Sequence, residues 1–327
     1  MTKRIVAFRR LNERHLAELR EQFHVDYFPE LACVDDPGFR EALAEAHGLI
    51  GTSVKITPEL LDKAPHLEAI ATISVGYDNY PVDELTRRNI LLCNTPDVLT
   101  ETTADTGFAL IMATARRVVE LAEFVKRGDW RESIGAAHYG SDVHGKTLGM
   151  VGFGRIGAAV ARRGALGFNM RVLYSNASPK PELEAELGAR RCELDELLGE
   201  ADFVCVTVPL TPETTHLFGA MQFARIKQDA IFINIARGKV VDEPALIAAL
   251  ETGQIRGAGL DVFENEPLRA DSPLLRLPSV VALPHIGSAT HETRTAMAQR
   301  AVDNITLALN GERPISLVND QAWKQRT

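Results

Sequence analysis

The stretch that decides the fold lies near the middle of the chain and is rich in glycine: Leu148-Gly149-Met150-Val151-Gly152-Phe153-Gly154-Arg155-Ile156-Gly157. An apolar run comes before the glycines, and an alanine-rich run that suits a helix follows at 158–161. Gly152 permits a tight turn, Gly154 lets the backbone approach a pyrophosphate, and Gly157 lets the helix pack close to the strand. The unpaired amides at the start of that helix attract phosphate. This order of strand, turn and helix predicts a dinucleotide-binding site rather than a plain strand-to-helix turn.

The segment after the next predicted strand, Met170 to Tyr174, indicates which dinucleotide is bound. An NAD site normally has Asp or Glu at this point, where it bonds the ribose 2′-hydroxyl. Here the first acid is Glu182, and small polar residues come before it: Ser175-Asn176-Ala177-Ser178-Pro179-Lys180. A carboxylate would repel a 2′-phosphate, whereas these side chains would accept one, with positive charge from Arg155 or Lys180. The sequence therefore predicts NADP(H) as the preferred cofactor, with NAD(H) as an alternative.

Composition and charge narrow the class of protein. The chain has 327 residues, 45% of them hydrophobic and 24% charged, which suits about two globular domains. Its net charge of −8 argues against a nucleic-acid surface, and basic pairs such as Arg190-Arg191 are too short to form a patch. No apolar run reaches the roughly 18 residues of a membrane span. The four cysteines lack metal-ligand spacing and the N-terminus leads directly into a strand, so we expect no metal and a cytoplasmic location.

Predicted strands and helices alternate along the chain, as is typical of parallel sheets covered by helices. Five strands are predicted before the glycine stretch: Ile5–Phe8, Val25–Phe28, Leu49–Gly51, Ala69–Ser74 and Ile90–Asn94. Helices are predicted between them, among others at Pro37–Ala46 and Thr57–Lys63, and a long apolar helix runs from Glu101 to about Arg127. After the strand at Met170 to Tyr174, four more strands are predicted: Phe203–Val208, Ala230–Ile235, Gly257–Val262 and Val280–Leu283.

These two sets of strands predict an α/β fold with two doubly wound parallel-sheet domains. Residues 1–98 plus 290–327 are expected to form a flavodoxin-like substrate domain, and residues 99–289 a Rossmann dinucleotide-binding domain. The last helical segment, His291 to Leu309, is expected to return to the first domain because the second sheet is already complete. The substrate is expected to bind between the two domains.

Three charged or titratable residues directly follow predicted strands of the second domain. They are Arg237, Glu266 and His285. In doubly wound sheets ligands bind at the carboxyl ends of the strands, the edge that also carries the pyrophosphate. Each residue alone has an ordinary structural explanation, as a loop arginine, a solvated turn acid or a core histidine. Three of them at one edge, beside a nicotinamide, form a set that suits catalysis.

This set of side chains suits carbonyl reduction. Hydride transfer to a ketone leaves an alkoxide that must be protonated, and histidine is the side chain best matched to donate a proton near neutral pH. A carboxylate bonded to the imidazole favours its charged form and fixes its orientation. An arginine can bind a substrate carboxylate through two bonds and polarise the neighbouring carbonyl. Together they predict a 2-oxo acid substrate.

Several motifs resemble those of the D-isomer-specific 2-hydroxyacid dehydrogenases. They are Val151 to Gly157, Ser74-Val75-Gly76-Tyr77-Asp78-Asn79, Ile233-Asn234-Ile235-Ala236-Arg237-Gly238, Leu260-Asp261-Val262-Phe263-Glu264-Asn265-Glu266-Pro267 and Pro284-His285-Ile286-Gly287-Ser288-Ala289-Thr290. The resemblance covers essentially the whole chain, and within the family it points to bacterial glyoxylate/hydroxypyruvate reductases that also act as 2-ketogluconate reductases. It implies NADPH-dependent reduction of small 2-oxo acids (glyoxylate, hydroxypyruvate, 2-ketogluconate) to D-2-hydroxy acids.

The resemblance also implies roles for individual residues. Arg237 would bind the substrate, Glu266 would be the acid partner, and His285 would be the proton donor that also contacts substrate and cofactor. Backbone amides at Val75 and Gly76 would hold the substrate carboxylate. Asp261 would orient the nicotinamide carboxamide. The full set of expected cofactor contacts is Gly152, Gly154, Arg155, Ile156, Gly157, Ser175, Asn176, Ser178, Pro209, Thr214, Ile235, Ala236, Asp261, His285 and Gly287.

Related reductases place a tryptophan near the loop at 137–140, where it sometimes reaches into the partner subunit's site. This chain has His138 and Tyr139 there, so the resemblance leaves the pocket for the substrate side chain undefined. Trp130, slightly upstream, is expected to pack in a dimer arm. The apolar stretch from Phe108 to Phe124 and the arm Trp130–Tyr139 together predict a homodimer, because a monomer would not tolerate so large an exposed apolar patch.

Two other functions fit parts of the sequence. An NAD-linked phosphoglycerate dehydrogenase would share the motifs, but the acid that binds the ribose hydroxyl is missing at Ser175. A non-catalytic, dinucleotide-sensing corepressor of the same fold would keep the cofactor site. The complete set of Arg237, Glu266 and His285 favours an enzyme over such a binding protein.

Overall fold

The structure, a computed structural model, describes residues 2–326, which group into two compact units. One unit contains the described residues up to Leu99 and those from Thr290 onward, and the other is Thr100–Ala289. Each unit is built around its own parallel sheet, with five strands in the first unit and seven in the second. The predicted α/β fold with two parallel sheets is therefore confirmed.

Within residues 2–326 the chain forms 12 strands and 13 α-helices. The strands are β1 (Arg4–Phe8), β2 (His24–Phe28), β3 (Gly48–Gly51), β4 (Ala69–Thr72), β5 (Leu91–Cys93), β6 (Thr147–Val151), β7 (Arg171–Ser175), β8 (Arg190–Arg191), β9 (Phe203–Val206), β10 (Ile231–Asn234), β11 (Gly257–Leu260) and β12 (Val280–Ala282). The helices are α1 (Glu13–Arg20), α2 (Pro37–Ala44), α3 (Pro58–Leu61), α4 (Val82–Arg87), α5 (Thr100–Ala115), α6 (Val118–Lys126), α7 (Arg155–Arg162), α8 (Pro181–Leu187), α9 (Leu194–Glu200), α10 (Ala220–Arg225), α11 (Glu243–Glu251), α12 (His291–Leu309) and α13 (Asp320–Lys324).

Local sequence explains where several helices begin. Asp36, Thr57 and Asp242 each accept a hydrogen bond from a backbone N–H in the first turn of α2, α3 and α11, and each is followed by a proline within that turn. Such caps satisfy amides that have no partner inside the helix, and proline lacks the N–H that would need one. The predicted starts of α2 and α3 are therefore accurate to within one residue, whereas these two helices end two residues earlier than predicted, at Ala44 and Leu61.

The sheet of the first unit has the strand order β2-β1-β3-β4-β5, and neighbouring strands are parallel. Two of the three inner strands, β3 and β4, are buried throughout, which explains their continuous apolar sequences. Helix α12 packs on these two strands and on α1. A Cβ at Gly48 would lie 2.9 Å from Leu309 Cδ1, so glycine permits this close approach of helix and sheet.

The sheet of the second unit has the order β12-β11-β10-β9-β6-β7-β8, again all parallel. The chain proceeds outward from β6 through β7 to β8, then crosses to β9 and proceeds outward on the other side. The order of strands therefore reverses between β6 and β9. Ligands of open α/β sheets bind at the carboxyl ends of the strands at such a reversal.

The predicted helix from Glu101 to Arg127 is wrong in one respect, because the structure divides it into α5 and α6. Arg117, between them, has a left-handed backbone with φ of 55°. The end of α5 is closed by a distant segment: Ser141 N–H donates to Ala115 O, and a Cβ at Gly140 would lie 2.4 Å from that same oxygen. The apolar surface predicted to be exposed from Phe108 to Phe124 is also wrong for its first part. Phe108 in α5 is buried in the core of its own unit.

Strand β8 was not predicted, because its two arginines are exposed and give no apolar pattern. Among residues 2–326, no helix combines the length and apolar character that a membrane crossing requires. In the same range no group of His, Cys, Asp or Glu side chains is placed to hold a metal ion. Cys93 and Cys205 are buried in strands, whereas Cys33 is exposed.

Candidate active site

The glycine-rich stretch forms the turn between β6 and α7. Gly152 has a φ of 92°, and a Cβ there would lie 2.8 Å from Val208 N. A Cβ at Gly157 would lie 2.4 Å from Gly152 O, so any side chain would push α7 off the turn. At Gly154, by contrast, a Cβ would meet no atom within 4 Å. The turn thus needs glycine for its shape at two positions, and the space over the third is open. These features fit a pyrophosphate seated on the start of α7.

The segment that follows β7 is tied to the glycine turn. Gly152 N–H donates to Ser175 O at 2.9 Å, and Phe153 N–H donates to Asn176 Oδ1 at 3.0 Å. Asn176 Nδ2 in turn donates to Ser178 O at 2.8 Å. The polar residues predicted to recognise the ribose therefore lie beside the turn predicted to bind the pyrophosphate.

A further cation, Arg191, reaches this segment from strand β8. Strand β8 pairs with β7 so that Arg191 lies opposite Tyr174. The Arg191 Nη2 group donates to Asn176 O at 3.1 Å and to Ala177 O at 3.3 Å. Only the strand register brings this arginine to the segment after β7, and the short arginine pair carries no motif that would have revealed it. The predicted cations Arg155 and Lys180 begin α7 and precede α8, respectively.

The predicted residues Pro209 and Thr214 form a turn after β9. Thr214 Oγ1 donates to Pro209 O at 2.7 Å and accepts from Thr211 N–H at 2.8 Å. The neighbouring predicted contacts Ile235 and Ala236 follow β10 and are largely buried. All expected cofactor contacts therefore lie in Thr100–Ala289, near the carboxyl ends of its strands.

His285 and Glu266 are brought together after β12 and β11. His285 Nδ1 lies 2.7 Å from Glu266 Oε2, and the other carboxylate oxygen accepts the Phe263 N–H at 3.1 Å. The side chain of His285 is 48% exposed and that of Glu266 is 36% exposed. His285 and Glu266 are therefore bonded to each other and remain accessible to a small molecule.

The charge state of Glu266 decides how the pair is protonated. Burial raises the pKa of Glu266, but the hydrogen bond and charge of His285, the Phe263 amide and the positive charge of Arg237 outweigh it, so the pKa lies below the usual range. The carboxylate is thus ionised near neutral pH and can only accept. The shared hydrogen therefore sits on His285 Nδ1, which leaves Nε2 as the ring nitrogen that can exchange a proton with a ligand.

Asp261 holds the backbone on which His285 lies. Its two carboxylate oxygens accept the N–H groups of Ile286 at 2.7 Å and Gly287 at 2.8 Å. Asp261 is only 2% exposed, and this burial raises its pKa, although the two amides and His285 partly offset the effect. His285 itself has a left-handed φ of 55°, which non-glycine residues adopt mainly where surrounding bonds enforce it. The Asp261 bonds provide that enforcement.

Arg237 follows β10 on a turn held by a buried asparagine. Asn234 Nδ2 donates to Arg237 O at 3.1 Å, and Asn234 Oδ1 accepts the Ala236 N–H at 3.0 Å. Arg237 Nη1 donates to Ala236 O at 2.8 Å. Its positive charge contributes to the lowered pKa of Glu266, although less than His285 and the Phe263 amide do. The structure thus assembles Arg237, Glu266 and His285 at the ends of three adjacent strands.

The predicted residues Val75 and Gly76 lie in the other unit, after β4. Ser74 Oγ donates to Gly76 O at 2.6 Å, and Asn94 Nδ2 donates to Val75 O at 2.9 Å. Within the described chain, the backbone N–H groups of Val75 and Gly76 donate to no protein acceptor. Two consecutive amides with unused donors can bind an anion.

A parallel seven-stranded sheet with this glycine turn and a His–Glu pair at the same edge defines a dinucleotide-dependent oxidoreductase. The profile of the D-isomer specific 2-hydroxyacid dehydrogenase NAD binding domain matches residues 108–287. The chain belongs to this family, and the prediction of an NAD(P)-dependent dehydrogenase is confirmed.

Similar proteins agree with this assignment. Glyoxylate/hydroxypyruvate reductase B of Escherichia fergusonii is 56% identical over 324 residues, which cover 99% of this chain and 100% of the relative. An NADPH-dependent glyoxylate/hydroxypyruvate reductase of Sinorhizobium meliloti, solved with NADP and malonate, aligns with a TM-score of 0.86 at 33% identity, covering 98% of both chains. D-lactate dehydrogenase of Aquifex aeolicus, solved with NAD and lactic acid, aligns with a TM-score of 0.86 at 29% identity, covering 96% and 99%.

Proposed function

We propose that this protein reduces small 2-oxo acids, namely glyoxylate, hydroxypyruvate and 2-ketogluconate, to D-2-hydroxy acids with NADPH in preference to NADH. The observation that carries the proposal is the bonded pair of His285 and Glu266 at the sheet edge that also carries the glycine turn. The names of the Escherichia and Sinorhizobium relatives support the substrate class.

The chain's own residues supply the proton and the binding groups of this reaction. Bound NADPH supplies the hydride that reduces the carbonyl carbon. His285 donates the proton from Nε2 to the carbonyl oxygen, and the Glu266 carboxylate stabilises the imidazolium before that transfer. Arg237 binds the substrate carboxylate and polarises the carbonyl through its planar guanidinium. After the reaction the imidazole is neutral and regains a proton from water.

We further propose that the amides of Val75 and Gly76 bind the substrate carboxylate. The unused N–H groups of both residues support this role, because their carbonyls are already bonded to Asn94 and Ser74. Because Ser74 and Asn94 bond the two carbonyl oxygens, the N–H groups of Val75 and Gly76 are the backbone groups left to bind a ligand. A substrate with a carboxylate next to the carbonyl fits such donors, and a simple ketone does not.

Steady-state kinetics test the proposed function directly. Glyoxylate, hydroxypyruvate, pyruvate and 2-ketogluconate should be assayed with NADPH and with NADH. We expect glyoxylate and hydroxypyruvate to be reduced, because the site offers donors for a carboxylate. Activity on branched-chain or aromatic 2-oxo acids alone would refute the proposal. Faster NAD-linked oxidation of 3-phosphoglycerate would favour the phosphoglycerate dehydrogenase alternative.

The cofactor preference leads to a separate prediction. Wild-type protein should prefer NADPH to NADH by about tenfold or more in kcat/KM, since charge-assisted bonds to a 2′-phosphate contribute roughly 1.5–3 kcal/mol each. Ser175→Asp should weaken or reverse this ratio, because its carboxylate repels the phosphate and accepts a 2′-hydroxyl. Gln321→Glu, which adds the same charge on α13 of the other unit, is the matched control. A wild-type preference for NADH, or an unchanged ratio in Ser175→Asp, would contradict the argument.

We also propose that the protein is a homodimer. Helix α6 has no buried residue, and Val118, Val125 and Trp130 are 53%, 50% and 61% exposed. Ile134 and Tyr139 continue this apolar surface along the arm. His138 packs on Phe124 of α6, with ring centroids 5.0 Å apart, and so supports the arm from within the same chain.

Light scattering tests the dimer. The expected mass at micromolar concentration is about twice the chain mass of 35.9 kDa. Val125→Glu should shift the protein toward the monomer, because it puts a charge into the apolar surface. Leu166→Glu, at an apolar residue outside α6 and the arm that is 67% exposed, should leave the mass unchanged. A wild-type mass equal to that of a single chain would overturn the proposal.

A further inference from the structure

We propose that Arg191, which lies outside the glycine-rich stretch and outside the segment after β7, is the cation that recognises the 2′-phosphate of NADPH. This role rests on the proposed use of NADPH, and Arg191 would be the residue that determines the preference for NADPH over NADH. It assigns to the edge strand β8 a role in cofactor specificity.

The strand register places Arg191 at the correct edge of the sheet. Leu173 pairs with Arg190 and Tyr174 with Arg191, so Arg191 lies level with the residue just before Ser175. Successive side chains of a strand point to opposite faces. The two adjacent arginines therefore occupy different surroundings, and only Arg191 reaches the segment after β7.

The charges of the two arginines are used differently. Arg190 is bonded to two carboxylates, with Nη1 2.5 Å from Glu196 Oε1 and Nη2 3.0 Å from Glu200 Oε1. Arg191 is bonded to backbone carbonyls, which are neutral and do not cancel its charge. Among the described residues these carbonyls are its only hydrogen-bond acceptors, and both bonds use Nη2. Its Nε and Nη1 donors are therefore free to bond a phosphate oxygen, although they do not lie on one side of the guanidinium.

The segment that Arg191 holds is the one that would surround the ribose. Arg191 bonds the carbonyls of Asn176 and Ala177, and the Asn176 side chain accepts the Phe153 N–H of the glycine turn. A phosphate monoester carries a charge of about −1.5 to −2 at pH 7, so hydroxyl and amide donors alone would leave it largely uncompensated. A guanidinium at this point supplies the missing charge and fixes the segment.

Binding of cofactor fragments tests the inference without any requirement for catalysis. Affinities of 2′,5′-ADP and 5′-AMP should be measured by calorimetry for wild type, Arg191→Gln, Arg191→Lys and Arg190→Gln. We expect Arg191→Gln to lower the affinity for 2′,5′-ADP by about 10- to 100-fold. The affinity for 5′-AMP should change by less than about twofold. The affinity of Arg191→Lys for 2′,5′-ADP should fall between those of wild type and Arg191→Gln, because lysine keeps the charge and loses the planar set of donors. Arg190→Gln, the matched control on the same strand, should change neither affinity.

The outcomes separate this inference from the proposed function. If wild type prefers 2′,5′-ADP and Arg191→Gln keeps that preference, the role of Arg191 is overturned while the use of NADPH stands. An equal loss of affinity for 2′,5′-ADP and 5′-AMP in Arg191→Gln would show that Arg191 has only a structural role. That result would also overturn the proposed role in phosphate recognition. If wild type binds both ligands equally, the proposed NADPH preference fails together with the inference.

Discussion

Replacement of His285 by alanine is expected to lower kcat by about 10²–10⁴-fold, because general acid catalysis by a positioned side chain contributes a factor of that size. In the proposed mechanism the Glu266 bond fixes the imidazole and leaves Nε2 to donate the proton, and an alanine side chain can do neither. The affinity for NADPH, measured by fluorescence titration, should stay nearly unchanged. The loss would correspond to about 3–5 kcal/mol of transition-state stabilisation.

Two comparisons make the His285 result specific. His144→Ala removes an exposed histidine of the same unit and should leave kcat at the wild-type value. His285→Gln keeps a hydrogen-bonding side chain but cannot deliver a proton near neutral pH, and should be as slow as His285→Ala. Wild-type turnover in either His285 variant would exclude the assignment of the proton donor.

Replacement of Arg237 by alanine should reduce kcat/KM by about 10²–10⁴-fold, with losses in both substrate binding and turnover. Two charge-assisted bonds of roughly 1.5–3 kcal/mol each disappear together, and the polarisation of the carbonyl is lost with them. A mutation that removes interactions made in both the ground state and the transition state raises KM and also lowers kcat.

Two further variants distinguish the geometry of Arg237 from its charge. Arg237→Lys keeps the charge but not the planar fork, so it should recover only part of the loss. Arg256→Ala removes an exposed arginine just before the amino end of β11, at the opposite edge of the same sheet. This variant should leave kcat/KM nearly unchanged. If Arg237→Ala binds and turns over 2-oxo acids normally, another residue must bind the substrate carboxylate.

Much of this fold could be predicted because buried parallel strands have continuous apolar sequences. Strands β3, β4, β9 and β10 are buried throughout, and each was predicted from such a run. The positions of Arg237, Glu266 and His285 followed from the rule that ligands bind at the carboxyl ends of strands. The structure adds the 2.7 Å contact that joins His285 to Glu266.

Other features depend on contacts between residues far apart in the chain, and no local pattern reveals them. The break between α5 and α6 depends on Ser141, which closes the helix end at Ala115 from 26 residues away. The burial of Phe108 depends on packing within its own unit, so an apolar helix alone could not show which part was exposed. Arg191 reaches the segment after β7 only through the register of an edge strand.

The chirality of the product tests the central claim most directly. Purified protein should be incubated with hydroxypyruvate and NADPH, and the glycerate formed should be resolved on a chiral column. We predict D-glycerate as the only isomer, because the chain belongs to the D-isomer specific family and a bound carbonyl carbon receives the hydride on one face only. L-glycerate, a mixture of isomers, or no NADPH-dependent reduction of hydroxypyruvate would contradict the account.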